Sequence, residues 1–442
     1  MIDKNILNQE KIDLVVSLYR QGRFEDSLKQ LVKLISLYSN EPFLYNLKGM
    51  CEIKIGNFNF SIISFNKAIK LNKNYVEAYN NLATTLINLG EFTKAIEKLK
   101  MVIKLNPNYV NAYNNLASAY SDLGEFDNAL IYFDKLLKLS PNYPGVKENI
   151  IKILTFFRPK KTNLNNYTKV DNELKKINYK TSTKILDEDV VNIYQNCKKI
   201  LSGKIKASNY SLSQIWKRNE VELNCTRHFD VFNNFNVIPK FCFSCFKIQI
   251  DLKSVTDLFK LYLIFNNLKI LNGYSRKCLV ELRKFGTGSY KGLIYCSSYE
   301  DAKRIYEIVK NYLEINVGNK FIIKIRRGCT EFGIAYPEFK DLNKEQKNFM
   351  KYDKSWREKE NIIDKKIPKK NRINQRILKN TLGVINLNDV LIMENWLMYA
   401  KIIGDEDYKK FDKELIISEF IRKQFFDQKG HRQREYKKNI FI

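Results

Sequence analysis

Apolar and polar positions alternate along the first third of the chain with a fixed period of 34 residues. Gly22, Gly56, Gly90 and Gly124 keep that step, as do Phe24, Phe58, Phe92 and Phe126. Ser27, Ser61, Ala95 and Ala129 keep it too, as do Leu37, Leu71, Leu105 and Leu139. Within one unit, Leu82, Leu86 and Leu89, then Ile96, Leu99 and Ile103, recur at helical spacing. Each unit therefore reads as a pair of helices too small to bury its own apolar face, and residues 8–143 as four units stacked into a solenoid. The glycine stands where the first helix must stop and turn. Small residues such as Ala83 and Ala95 let the two helices approach. Val146, Ile150, Ile153 and Leu154 continue the stripe as a capping helix, which Pro159 ends.

The best-formed units read Ala78-Tyr79-Asn80-Asn81-Leu82-Ala83, Leu89-Gly90-Glu91-Phe92, Ala95 and Leu105-Asn106-Pro107, with the same pattern from Ala112 to Pro141. This region resembles the tetratricopeptide repeat family, with Tyr79 and Tyr113 in place of the family's tryptophan. The first unit departs at Ser27 and the second at Lys73, where the proline falls in the family. The resemblance covers only residues 8–143. It implies a groove that captures a protein or peptide. Asn46, Asn80 and Asn114 lie 34 apart on the first helices, with Asn81 and Asn115 beside two of them. In similar repeats such asparagines line the groove and hold a peptide backbone through their amides.

Beyond the repeats the period changes. Residues 160–185 are polar and read as a linker, and Asp187–Leu201 as a helix stopped near Gly203. Phe246–Ile250 alternates like a strand. Ser254 then caps a helix striped by Val255, Leu258, Phe259, Tyr262 and Leu263. Cys278–Arg283 alternates again, Gly286, Gly288 and Ser289 make a hairpin, and Gly292–Cys296 is a third strand. Ser297 and Glu300 form a capping box before a helix, and Phe321–Ile325 is the last strand. That order, β-α-β-β-α-β, is the split βαβ or ferredoxin-like plan. Asn388–Ile403 has an apolar face that must dock on something, the open sheet face being one option. Lys365–Lys370 reads as a solvated loop and Lys429–Lys438 as a frayed basic tail. The expected fold is α-rich α+β. Residues 1–157 form the solenoid, 158–223 a linker with a helix, 224–339 a cysteine-rich ferredoxin-like domain and 340–442 a basic helical tail.

Charge changes this picture in the second part of the chain. The net charge is +28 over 442 residues, and residues 1–143 carry only +3 of it, from 17 basic and 14 acidic side chains. Basic charge of this size suits an anionic partner; the abundance of Lys, Asn and Ile equally suits an AT-rich coding sequence. No apolar run approaches the ~20 residues of a membrane helix. The N-terminus, with Asp3, Lys4, Asn5 and Glu10, lacks a signal-peptide core, so a cytoplasmic location is expected.

Eight cysteines in such a chain are thiols or metal ligands rather than disulfides. In the sheet order 4-1-3-2, Cys242 and Cys245 flank the start of the first strand. Cys296 ends the third and Cys329 follows the fourth. These four converge on one edge, as zinc or an iron–sulfur cluster requires. Cys225, His228 and Cys278 are alternates, the first two forming C-x2-H before the C-x2-C of Cys242 and Cys245. The competing reading makes them small buried hydrophobes, the only one that suits Cys51 and Cys197.

The open sheet face would carry Lys247, Arg283, Lys291, Tyr295, Lys324 and Arg326, a basic surface able to hold phosphates. Lys291–Tyr295 is similar in position to the first motif of the RNA-recognition module, with Leu293 where a stacking aromatic belongs. No catalytic set is present, with only His228 and His431 as histidines and no Gly-rich phosphate loop. The sequence thus points to a protein-interaction adaptor with a cysteine-rich second domain. An enzyme or redox protein with a thiolate centre, and an RNA-binding protein using the basic sheet face, are the alternatives.

Overall fold

The computed structural model describes residues 9–157, 160, 163–179, 184–205, 210–217, 223–283, 286–318, 321–345, 347–366 and 383–440. The described chain divides into two compact units, one running through Ile153 and one holding the described residues from Asn165 onward.

The first unit is four helix pairs. These are α1 (Gln9–Arg20) with α2 (Phe24–Leu37), α3 (Pro42–Lys54) with α4 (Phe58–Leu71), α5 (Val76–Asn88) with α6 (Phe92–Leu105), and α7 (Val110–Asp122) with α8 (Phe126–Leu139). The expected capping helix, α9 (Val146–Phe156), follows. Gly22, Gly56, Gly90 and Gly124 all have φ between +77° and +83°, the left-handed turn that glycine adopts without strain. Leu82, Ala83, Ala95 and Leu99 are buried. Where the first unit replaces the small alanine by Ser27, the hydroxyl stays satisfied by donating to the Val15 carbonyl (2.9 Å).

The second unit follows as α10 (Asn166–Leu174), α11 (Asp187–Leu201), β1 (Gln214–Lys217), α12 (Cys225–Phe235), β2 (Phe246–Leu252), α13 (Val255–Asn267), β3 (Arg276–Val280), β4 (Tyr290–Cys296), α14 (Tyr299–Asn316) and β5 (Ile322–Arg327). Further helices among the described residues are α15 (Thr330–Ala335), α16 (Trp356–Lys366), α17 (Leu387–Ile403), α18 (Tyr408–Phe411), α19 (Glu419–Phe425) and α20 (Lys429–Ile440). The sheet is antiparallel throughout, in the order β1-β3-β4-β2-β5. Helices α13 and α14 pack on one face of it. Gly292 marks how closely: a Cβ there would lie 2.2 Å from Leu261 Cδ2 of α13.

Four expectations are corrected here. The polar stretch after residue 160 contains α10, opened by Asn165, whose side chain accepts from the Thr168 amide (3.0 Å). The cap of α14 is Ser298, accepting from the Asp301 amide (3.0 Å), one position beyond the Ser297–Glu300 box. The C-terminal segment is no frayed tail. In α20, Arg432 is buried and its Nη1 donates to the Gly286 carbonyl (2.7 Å), while Tyr436 packs near Tyr290. From Asn165 on, the described residues of linker and tail thus lie in the same compact unit as the sheet. Of the expected loop, Lys365 and Lys366 end α16, and residues 367–370 fall outside the described residues.

The fourth correction concerns α17. It is buried all round, every residue except Glu394 and Lys401, as a helix at a domain centre must be. It packs against α13, α10, α11, β1, β3 and α20, on the helix-covered side of the sheet rather than over the open face. Trp396 Nε1 donates to the Ser213 carbonyl (2.9 Å), and Asn395 Nδ2 to those of Tyr210 and Leu212 (2.8 Å each). At its start, Asp389 Oδ2 accepts from Lys217 Nζ of β1 (2.6 Å) and Tyr262 of α13 (2.7 Å), with both charged side chains at most 2% exposed.

Trp216, Trp356 and Trp396 are the chain's three tryptophans, so tryptophan fluorescence reports the second unit alone. Gly292→Val drives a branched side chain into α13. It is expected to lower the fluorescence-detected urea stability by about 1–3 kcal/mol, the usual range for overpacking. A circular dichroism signal from the repeats should remain at its own midpoint.

Candidate functional site

Two places carry candidate chemistry, one in each unit. In the repeats, consecutive first helices touch, α3 with α5 and α5 with α7. The asparagines lie along that line and join it. Asn81 Nδ2 donates to Asn46 Oδ1 (3.0 Å), and Asn115 Nδ2 donates to Asn80 Oδ1 (3.2 Å). Asn115 also reaches Thr84 Oγ1 (3.5 Å). Asn46 and Asn80 are buried; Asn81, Asn114 and Asn115 are half-buried. The structure thus brings the five expected residues into one row, and four of them cross-link neighbouring repeats. Each amide has two donor hydrogens and an acceptor oxygen, so a cross-linked asparagine keeps capacity for a further partner. Asn114 continues the row outside these two cross-links.

In the second unit the candidate lies at one end of the sheet. Cys242 sits in a short 3-10 turn, Lys240–Ser244, its amide donating to the Pro239 carbonyl (2.9 Å). The Cys245 amide donates to the Cys242 carbonyl (3.3 Å), closing the C-x2-C turn before β2. Beyond β5, the Gly328 amide donates to the Cys245 carbonyl (2.7 Å), which sets Cys329 beside this turn. Gly328 has φ +52°, and a Cβ there would meet the Phe339 ring at 2.4 Å, so the approach needs glycine. Cys242 and Cys329 share an apolar cluster with Ile238, Phe332 and Phe339.

Cys225 opens α12, and one carboxylate ties this helix to the turn. Glu360 Oε2 accepts from Arg227 (2.5 Å), while its Oε1 accepts from the Lys240 amide (3.0 Å) and the Tyr352 hydroxyl (2.8 Å). Arg227 also grips both oxygens of Asp364 (2.8 Å each). Burial pushes the Cys245 thiol up to about 12, with Cys329 and Cys225 adding to it. Cys242 is raised further, first by burial and then by Cys245, Cys329 and Cys225. Burial keeps the Cys242 and Cys245 thiols protonated at neutral pH.

The other candidates sit differently, although Cys296 shares a cleft with Cys245. Cys296 pairs in register with Phe246, and Cys278 with Gly292, on the face that α13 and α14 cover. Cys245 precedes Lys247 by the two-residue period of the opposite face. His228 is buried and stacked on Phe241 (5.1 Å), its pKa pushed down to about 4 by burial first and Arg227 second. A cleft of about 460 Å³ opens at this end of the sheet between Cys245, Cys296, Tyr274, Tyr295 and Asp301. Among the described residues no three His, Cys, Asp or Glu side chains are gathered to hold a metal ion.

The expected basic face is not a row of free cations. Lys247 and Lys291 are buried. Lys291 pairs with Glu281 (2.6 Å), Arg283 with Glu281 (2.8 Å) and Glu331 (3.2 Å), and Lys324 with Asp251 (3.3 Å). Tyr295 stacks on Trp216 (5.5 Å), which Lys277 covers at 4.5 Å, and Arg326 is half-buried. Sequence reasoning missed Trp216, because β1 is four residues long, and missed Glu360 and Arg227, whose pairing spans 133 residues.

Model matches to known families fall in the repeats. A model described as TPR repeat matches residues 85–124, and two described as tetratricopeptide repeat match 44–75 with 110–143, and 64–97. No curated protein matches the chain. Among solved structures, a crystal structure of MamA is 28% identical, covering 30% of this chain and 77% of that one at a TM-score of 0.29. MamA from Desulfovibrio magneticus RS-1 is 20% identical, covering 35% and 85% at 0.32. The second TPR domain of human RPAP3, in complex with an HSP70 peptide, is 20% identical, covering 25% and 91% at 0.24. No helix among the described residues is long and apolar enough to cross a membrane.

His228 gives a pH test of the packing around Arg227. Unfolded, the imidazole takes a proton below about 6.5; folded, only near 4. Its contribution is complete above pH 6.5 and declines as the pH falls towards 4. Glu394, pushed up to about 7 by burial, acts in the opposite sense, so the wild type must be compared with His228→Gln. Between pH 7 and pH 5 the variant is expected to lose roughly 1–2 kcal/mol less stability than the wild type, measured by urea unfolding.

Proposed function

Taking residues 44–143 as tetratricopeptide repeats, we propose that the chain is a protein-interaction adaptor whose first unit captures an extended peptide segment. The observation that carries this reading is the row of asparagine amides along α3, α5 and α7. Amides contact a peptide backbone without reading its charge, and the repeats themselves are close to neutral. The second unit supplies a separate function. Its β2-α13-β3-β4-α14-β5 run supports the ferredoxin-like plan, extended by β1 at one edge.

The test separates groove from scaffold. A displayed library of random peptides is selected on the full chain, and the enriched peptides are synthesised and titrated. Asn114→Ala is expected to weaken their binding by roughly two- to ten-fold, one net hydrogen bond, with an unchanged melting temperature. Asn80→Ala should weaken binding and also lower the stability of the repeats, because Asn115 loses its acceptor. Peptides that bind both variants as tightly as the wild type, or a library that yields none, would remove the groove from the proposal.

A further inference from the structure

Three separate pieces of chain bring thiols to one end of the sheet: the start of α12 with Cys225, the turn with Cys242 and Cys245, and the residue after β5, Cys329. Each piece is tied to the next. Glu360 joins the first to the second through Arg227 and the Lys240 amide. The Gly328–Cys245 hydrogen bond joins the second to the third, and Phe339 closes over Gly328. Cys242 and Cys329 also share one apolar cluster, whereas the β2–β4 register turns Cys296 to the helix-covered face with Phe246.

We propose that Cys225, Cys242, Cys245 and Cys329 form a tetrathiolate site for a soft divalent cation such as zinc. Four ligands, two of them in a C-x2-C turn, match the donor number and type that structural zinc takes. Glu360 acts as the positioning residue that ties two of the ligand segments together, the part an outer partner plays in such sites. The structure supplies the scaffold rather than a closed coordination shell, because the four side chains are not gathered at coordinating distance. Binding therefore draws in the sulfurs and releases their protons to solvent. The assignment replaces Cys296 by Cys225 and is independent of the repeats.

The probe is cobalt(II), followed by zinc, added to the full chain purified under reducing conditions with chelator and then freed of it. One equivalent of cobalt is expected to produce thiolate-to-cobalt charge-transfer absorption, which zinc abolishes, with acidification of a weakly buffered solution. Cys225→Ser and Cys329→Ser should lose the four-sulfur spectrum, whereas Cys296→Ser and Cys278→Ser keep it. Glu360→Gln should weaken binding by about 10–100-fold. Should a cysteine variant fail to fold, maleimide footprinting of the wild type decides, with zinc protecting Cys225, Cys242, Cys245 and Cys329. No charge-transfer band at one equivalent and no zinc protection would overturn the proposal. So would a spectrum that survives Cys225→Ser and is lost in Cys296→Ser.

Discussion

The second unit depends on a charge taken out of water. Lys217 and Asp389 meet at 2.6 Å with almost no exposure, and Tyr262 donates to the same carboxylate oxygen. Burying two charges is costly, and their attraction offsets that cost only where the geometry is good and the remaining lone pairs are used. Here the Tyr262 hydroxyl uses one of them, and the Lys217 ammonium also reaches the Val384 carbonyl (3.2 Å). Asn386 Oδ1 caps the helix by accepting from the Asp389 amide (3.0 Å). Two residues before Asp389, the Leu387 amide donates to Asp171 of α10 (3.0 Å). The start of α17 is thereby fixed to β1, α13 and α10 at once. With that end fixed, the apolar remainder of α17 can be enclosed on every side, and Trp396 and Asn395 satisfy the irregular backbone at 210–213.

The repeats rest on a different principle. Their contacts are between neighbours, and a period of 34 residues repeats the same small-residue approach and the same left-handed glycine turn. This is why the first unit was legible in the sequence almost residue by residue. The four later strands and their two helices were also legible, because alternation and capping are local signals. Ser254 caps its helix as such a signal requires. What was not legible depends on partners far apart in the chain. Nothing near Asp389 announces Lys217, 172 residues away, and nothing near Arg227 announces Glu360. The basic C-terminus reads as solvated because its composition is polar, yet Arg432 is enclosed by carbonyls of the β3–β4 hairpin. Composition describes a segment's average, whereas docking is decided by one or two side chains.

The same distinction separates the candidate site residues. Strand order in the sequence reading drew Cys242, Cys245, Cys296 and Cys329 to one end of the sheet. It could not say which face each thiol occupies, and face is set by a period of two that a single turn residue resets. Cys225 enters the group through α12, a helix the sequence reading did not include. In the repeats, four of the five asparagines cross-link neighbouring first helices.

The most direct measurement is residue-resolved hydrogen exchange on the full chain carrying Asp389→Asn, compared with the wild type. The substitution keeps the shape and removes the charge that Lys217 needs, leaving an uncompensated buried ammonium, a change that typically costs about 3–5 kcal/mol. The account predicts faster exchange in β1, α13 and α17 together, with α1 to α8 unchanged. Wild-type protection throughout those three elements, or loss of protection spread equally into the repeats, would contradict it.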